Sequence, residues 1–135
     1  MSPRKAFQVL MLLSLSLLVA TTAFAQDEAS MSISRLVTCT GIADREPVGA
    51  AESFSVDTGT VYAFMEANDI SADVELSFVW LHEGDETARI TLPIRQGGRW
   101  RTYSSKKLGG RTGAWRVEIQ DPSGAVLSSV GFTVN

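Results

Sequence analysis

Four segments of the chain carry an apolar residue at nearly every second position. They span residues 74–80, 88–94, 115–119 and 126–134. Side chains on a β-strand alternate between its two faces, so each segment predicts a strand with one buried and one solvated face. Helical periodicity is nearly absent after Met31. This pattern restricts the chain to an all-β fold.

Weaker apolar runs at residues 33–39, 54–56, 61–65 and 100–104 raise the number of expected strands to seven or eight. Turn-forming residues separate the runs at intervals of about 8 to 12 residues, which is typical of a sandwich. These turn signals are Asp57 to Gly59, Glu83 to Asp85, Gly97 to Gly98, Gly109 to Gly110 and Asp121 to Gly124. We predict an immunoglobulin-like antiparallel β-sandwich of seven or eight strands.

The first 25 residues have the three parts of a secretory signal peptide. Arg4 and Lys5 precede an apolar run over residues 7–20, and Ala23 and Ala25 supply the small side chains that signal peptidase requires. An uncleaved anchor is the alternative, but the run is shorter than the roughly 20 residues that cross a bilayer. We expect cleavage after Ala25 and export to the periplasm or the medium. Residues 26–31 are then a disordered leader and residues 32–135 one domain, with no membrane span in the mature chain.

The charge and cysteine content narrow the function classes. Cleavage removes two of the 12 basic residues and leaves 10 against 15 acidic residues, a net charge of −5. A general nucleic-acid or anionic-membrane binder needs an excess of Lys and Arg, so neither is expected. The single cysteine, Cys39, cannot form an intramolecular disulfide. It alternates inward with Ile33 and Val37 and is interpreted as a buried thiol, while an intermolecular disulfide, and hence a homodimer, stays open.

The glycine pair at Gly97 and Gly98 predicts a hairpin between two strands. A three-residue loop, Gln96-Gly97-Gly98, would pair Ile94 with Trp100 and set Arg95 beside Arg99. The inward set would then include three indoles, those of Trp80, Trp100 and Trp115.

The outward face of this hairpin is the most suggestive surface feature. Arg101 and Tyr103 follow Arg99 along the same face. Like charges placed opposite each other cost stability, so something should balance Arg95 and Arg99. An acidic neighbour such as Glu118 is one explanation. The other is a bound anion or acidic polymer, with Tyr103 offering a stacking face.

A second candidate is the charged segment Asp44-Arg45-Glu46, which precedes Pro47 between the first two expected strands. It is interpreted either as a recognition loop or as a loop held by an Arg45 ion pair.

Catalytic and metal-binding patterns are weak. His82 has no second His or Cys at ligand spacing, and Asp69 with Asp73 matches no calcium loop. No Gly-x-Ser-x-Gly elbow is present. We therefore expect a protein that is not an enzyme and needs no cofactor or metal.

Three ordered motifs resemble an uncharacterised bacterial family known as a domain of unknown function. They are Thr40 to Val48, Arg99 to Lys106, and Gly113 to Glu118 followed by Asp121 and Gly124. The resemblance runs from about Leu36 to Val134. It implies an immunoglobulin-like domain of exported or membrane-attached proteins, with no assigned activity. The chain departs from the family pattern at Phe78, where a histidine is expected.

The most consistent functional hypothesis is a non-catalytic binding or assembly module of the bacterial envelope. Its partner would be an envelope protein or a polysaccharide, contacted through Arg95, Arg99, Arg101 and Tyr103 or through the Asp44 segment. Two alternatives stay open. One is a structural protein that self-associates through an exposed strand edge or Cys39, and the other is a hydrolase that uses loop carboxylates.

Overall fold

The computed structural model describes residues 29–135. The predicted signal peptide and its cleavage site lie outside the described residues. Within residues 29–135 the chain forms ten strands and one short 3-10 helix, Val56–Thr58. The strands are β1 (Ser32–Cys39), β2 (Gly41–Ala43), β3 (Glu46–Val48), β4 (Ser53–Phe54), β5 (Thr60–Ile70), β6 (Val74–His82), β7 (Asp85–Ile94), β8 (Gly97–Lys107), β9 (Gly113–Gln120) and β10 (Val126–Val134).

Two sheets form a sandwich. One has the order β1-β5-β8 and the other the order β4-β10-β9-β6-β7, while β2 and β3 form a separate hairpin. All neighbouring pairs are antiparallel except β4 and β10, which are parallel over two residue pairs. The predicted all-β antiparallel sandwich is confirmed. Seven strands have eight or more residues, and the other three have two or three residues each.

The core lies between the two sheets. Leu76, Phe78 and Trp80 from β6 pack there with the inward residues of β5 and β9. Trp80 Nε1 donates a 3.1 Å hydrogen bond to Ser104 Oγ and so joins the two sheets through buried polar atoms. Trp80 and Trp115 are buried as expected, but Trp100 is only partly buried. Its strand, β8, is the last of its sheet, so one side of the indole lacks a neighbouring strand.

The predicted hairpin between β7 and β8 is wrong. β7 pairs with β6, and β8 pairs with β5 in the opposite sheet, so the chain crosses the sandwich at Arg95 and Gln96. Asp73 holds the crossing by accepting hydrogen bonds from Gln96 N (2.8 Å) and Arg95 Nη1 (3.2 Å). Alternation shows that a strand has an apolar face, but two such faces can meet across a core as well as side by side in one sheet.

The predicted inward direction of Cys39 is also wrong, although the thiol is buried. A β-bulge between Ile33 and Arg35 shifts the alternation of β1. Leu36 then packs against the core, and Cys39 pairs with Tyr62 on the outer face of the sheet. The β2–β3 hairpin covers this face, and Cys39 is 0% exposed. Burial raises the pKa of the Cys39 thiol.

The ordered domain begins before residue 32. Ser30 and Ser71 exchange hydrogen bonds, with Ser71 N donating to Ser30 O (3.0 Å) and Ser30 N to Ser71 Oγ (2.8 Å). Met31 packs against the core. Ser30 and Met31 therefore belong to the fold rather than to the expected disordered leader. Over residues 29–135 no helix is long and apolar enough to cross a membrane.

Candidate functional site

The β2–β3 hairpin places the Asp44 segment on the three-stranded sheet. Ala43 pairs with Glu46, which leaves Asp44 and Arg45 as a two-residue turn. Their φ angles are 51° and 60°, the left-handed conformation that tight hairpins need and that aspartate tolerates. Both residues are exposed at the tip, whereas Glu46 points back towards the sheet and is half-buried.

Four charged side chains fasten the hairpin to the sheet, and we call them the Glu46 cluster: Arg35, Glu46, Glu66 and Arg101. The Glu46 carboxylate accepts hydrogen bonds from Arg35 Nη1 (2.7 Å), Arg35 Nη2 (3.1 Å) and Arg101 Nη1 (2.7 Å). Arg35 Nη2 also donates to Glu66 Oε1 at 3.0 Å. Two cations and two carboxylates balance, and the guanidinium of Arg35 lies 4.8 Å from the ring centre of Phe64.

The cluster holds its members in their charged forms. Hydrogen bonding from Arg35, then from Arg101, lowers the pKa of Glu46 to about 2 against the opposing effect of burial. The Arg35 hydrogen bond likewise lowers the pKa of Glu66, and Ser34 adds to it. The pKa of Arg35 is raised, first by Glu46 and then by Glu66. These carboxylates are therefore structural anions at neutral pH.

An open groove of about 640 Å³ lies between the hairpin and β8, and we call it the β8 groove. Its lining residues are Ile42, Asp44, Arg45, Phe64, Arg99, Trp100, Arg101, Thr102 and Tyr103. Tyr103 is 49% exposed, and its ring centre is 5.9 Å from that of Tyr62. The groove thus combines an accessible aromatic ring with three guanidinium groups.

The arginines of the groove differ in their partners. Arg101 is 19% exposed and bound to Glu46. Arg45 and Arg99 are exposed and form no ion pair with any residue from 29 to 135. Asp44 is the single acidic residue of the lining. Arg45 and Arg99 therefore remain in the groove without an ion pair to a described residue, although the charge of Arg99 helps to lower the pKa of Glu66.

The sequence-predicted site residues are mostly brought together. Asp44, Arg45, Arg99, Arg101 and Tyr103 line the groove, and Glu46 lies beneath it.

The predicted position of Arg95 beside Arg99 is wrong. Arg95 lies apart from the β8 groove, at the crossing between the sheets, where it pairs with Asp73 at 3.2 Å. It is not beside Arg99, because β7 and β8 belong to different sheets. Glu118 is not the acidic neighbour of these arginines, since it pairs with Arg116 at 2.9 Å; Asp73 is that neighbour for Arg95, and Glu46 is for Arg101.

Sequence reasoning missed the residues that complete the site, Arg35, Glu66 and Phe64. The sequence does contain a signal for Arg35 and Glu66. Arg35 interrupts the apolar run of β1, and Glu66 does the same in β5. A charge of each sign inside two neighbouring strands indicates a pairing across them.

The remaining chemical candidates have structural partners. His82 Nε2 lies 2.7 Å from Thr112 O, and its ring centre is 4.7 Å from that of Trp115. Asp73 is engaged at the sheet crossing. In the part of the chain that the structure describes, no three His, Cys, Asp or Glu side chains are grouped to hold a metal ion.

The second part of the chain is similar to a known protein family. Residues 73–134 match the model of a family described as "Protein of unknown function (DUF2914)". The match covers β6 to β10 and so includes Arg99, Arg101 and Tyr103, while the β2–β3 hairpin lies before it. This part of the chain is therefore similar to a domain of unknown function. No curated protein matches the chain.

Solved structures are similar to this chain at low sequence identity. A β-glucosidase from Listeria innocua in complex with glucose superposes with a TM-score of 0.50 and 11% identity over 80% of this chain. A GH3 β-glucosidase from Bifidobacterium adolescentis gives a TM-score of 0.48 and 8% identity over 78% of it. The chain spans 16% and 17% of the length of those two enzymes. At such identity the likeness to the Listeria enzyme shows the fold alone.

Proposed function

We propose that this domain is a non-catalytic binding module that takes a negatively charged ligand in the β8 groove. One observation carries the proposal: Arg45 and Arg99 line an open groove and have no ion-pair partner among residues 29–135. An anionic group from outside the domain would supply that partner.

The chemistry of the lining suits such a ligand. A guanidinium offers paired N–H donors that match a carboxylate or sulfate, and it is more weakly hydrated than the ammonium of lysine. Tyr103 adds an exposed ring face for the apolar part of the ligand. The volume of the groove falls in the range of about 300 to 1,000 Å³ that ligand sites occupy.

The Glu46 cluster supports binding indirectly. It ties the hairpin to the sheet at Arg35 and Arg101, so the groove wall that carries Arg45 has an anchored base. A wall that is already held in place loses less conformational freedom when the ligand binds. Glu46 and Arg101 are therefore positioning residues, and Arg45, Arg99 and Tyr103 are the expected contacts.

The setting of this function is part of the proposal. The signal-peptide pattern of residues 1–25 and the resemblance to exported bacterial proteins support a role in the bacterial envelope. The ligand would then belong to an envelope protein or a polysaccharide.

Calorimetry with two anionic probes tests the proposal. Hexaglutamate represents an acidic protein segment and a galacturonate oligomer an acidic polysaccharide, with neutral oligomers of each class as references. We expect Arg99→Ser and Arg45→Ser to weaken binding of the responding probe by about tenfold. The matched control is Arg89→Ser, which removes an exposed arginine from the opposite sheet. Equal losses in all three variants, or no binding of either probe, would contradict the proposal.

A further inference from the structure

β8 has an unpaired edge. It is the last strand of the β1-β5-β8 sheet, and β5 is its only partner strand among the described residues. Every second residue of such a strand turns its backbone N–H and C=O groups away from the sheet. These groups form a template on which another extended chain can pair.

The β8 groove follows this edge. Five consecutive residues of β8, Arg99 to Tyr103, line the groove. Neighbouring side chains on a strand point to opposite faces, so side chains from one face alone cannot supply five consecutive lining residues. The backbone of β8 is therefore part of the groove surface.

The charge of β8 selects what can pair there. The strand carries four cations, Arg99, Arg101, Lys106 and Lys107, and no acidic residue. A second copy of the chain pairing at this edge would set like charges against one another, which is unfavourable. An extended segment with acidic side chains would instead meet opposite charge at Arg99 near one end of the strand and at Lys106 and Lys107 near the other.

We propose that the ligand is an extended acidic peptide segment of a partner protein, which adds to β8 as a fourth strand of the β1-β5-β8 sheet. This inference rests on the proposed function and specifies its ligand. Acidic side chains on the hairpin side of the added strand meet Arg45 and Arg99, and a further side chain on that same face reaches Tyr103, because Arg99 and Tyr103 share one face of β8. Backbone hydrogen bonds contribute affinity, and the arginines select for acidic sequence.

An acidic polysaccharide accounts for fewer of these features. It can pair with Arg45 and Arg99, but it lacks the regular series of amide N–H and C=O groups that matches a strand edge. The consecutive lining residues and the unpaired edge favour a peptide.

The probe is the heptapeptide Thr-Glu-Val-Glu-Val-Glu-Thr, titrated into the purified chain. Two N-methylated forms carry the methyl groups on alternate residues, one form for each edge of the peptide. They keep every charge but remove the amide donors of one edge. The galacturonate oligomer is the comparison, and hydrogen exchange of the β8 amides is recorded for each complex.

We expect the unmodified peptide to bind, one N-methylated form to lose about tenfold in affinity, and the outward amides of β8 to exchange more slowly in the complex. Arg99→Ser should weaken binding while Arg89→Ser leaves it unchanged. If both N-methylated forms bind as well as the parent, or only the galacturonate oligomer binds, the strand-addition inference fails and the proposed anion site stands. If no anionic probe binds, or Arg99→Ser has no effect, both fail.

Discussion

Arg101 Nη1 donates a 2.7 Å hydrogen bond to Glu46 Oε1 across 55 residues of sequence. Glu46 lies at the start of β3, and Arg101 lies on β8, so this bond joins the small hairpin to the edge strand of the sheet. Arg35 on β1 shares the same carboxylate. One glutamate therefore fixes the hairpin to two strands and lies beneath the β8 groove.

Replacement of Glu46 should loosen the hairpin. In Glu46→Gln the neutral amide cannot balance Arg35 and Arg101, so the hairpin opens more often and uncovers the Cys39 thiol. We expect a thiol reagent to modify Cys39 several-fold faster in Glu46→Gln than in the parent chain at neutral pH. Glu86→Gln, which breaks only the exposed pair with Arg89, is the control and should leave the rate unchanged. An unchanged rate in Glu46→Gln would show that the cluster does not hold the hairpin.

The free energy of unfolding should fall in acid, because Glu46 becomes protonated there. The pKa of Glu46 in the folded chain is about 2, below its ordinary value of 4.5. A lowered pKa means that the charged form stabilises the fold. Its contribution is complete above about pH 4.5 and is lost as the pH falls towards 2. Urea unfolding of the parent and Glu46→Gln chains should give a midpoint difference that is largest at pH 7 and shrinks through this range. A difference that is constant with pH would rule out this role for Glu46.

The hydrogen bond from Trp80 to Ser104, which joins the two sheets, should stabilise the fold. Ser104→Ala leaves the buried Trp80 Nε1 donor without its partner, which should lower the free energy of unfolding by about 1 to 3 kcal/mol. Ser105→Ala is the matched control, because Ser105 is exposed, and its effect should stay within about 0.5 kcal/mol. Chemical denaturation followed by tryptophan fluorescence measures both. Equal effects of the two substitutions would argue against the inter-sheet bond.

The covered thiol should keep the folded chain free of covalent dimers. Cys39 is fully buried, and a raised pKa leaves little thiolate to attack a disulfide. Non-reducing electrophoresis of the native chain after exposure to an oxidant should show a single monomer band. Brief unfolding in urea before oxidation should produce the dimer. A dimer formed by the native chain would contradict the described position of Cys39.

Much of the fold could be predicted because alternation directly reports a half-buried strand. The apolar runs that predict β6, β7, β9 and β10 are strong, and all four strands form. Alternation does not indicate which strands pair with each other. Ile94 and Trp100 each need an apolar neighbour, and the sequence does not distinguish a neighbour in the same sheet from one across the core. The β7–β8 hairpin failed for that reason.

Most residues of the site could be predicted from the sequence, but the contacts that bring them together could not. Arg99, Arg101 and Tyr103 share one face because strand periodicity requires it. Their meeting with Asp44 and Arg45 depends on the hairpin folding back over the sheet, which Glu46 and Arg35 bring about through long-range contacts. A one-residue bulge in β1 also redirects Cys39, and alternation cannot reveal an inserted residue.

The most direct measurement for the central claim is a map of amide chemical-shift changes as hexaglutamate is titrated into the isotope-labelled chain, with the galacturonate oligomer in a parallel titration. We expect the largest changes on Arg45, Arg99 and Tyr103 for the probe that binds, and we expect Arg99→Ser to suppress them. Changes centred on the five-stranded sheet, or spread evenly over exposed lysines and arginines, would contradict a binding site in the β8 groove.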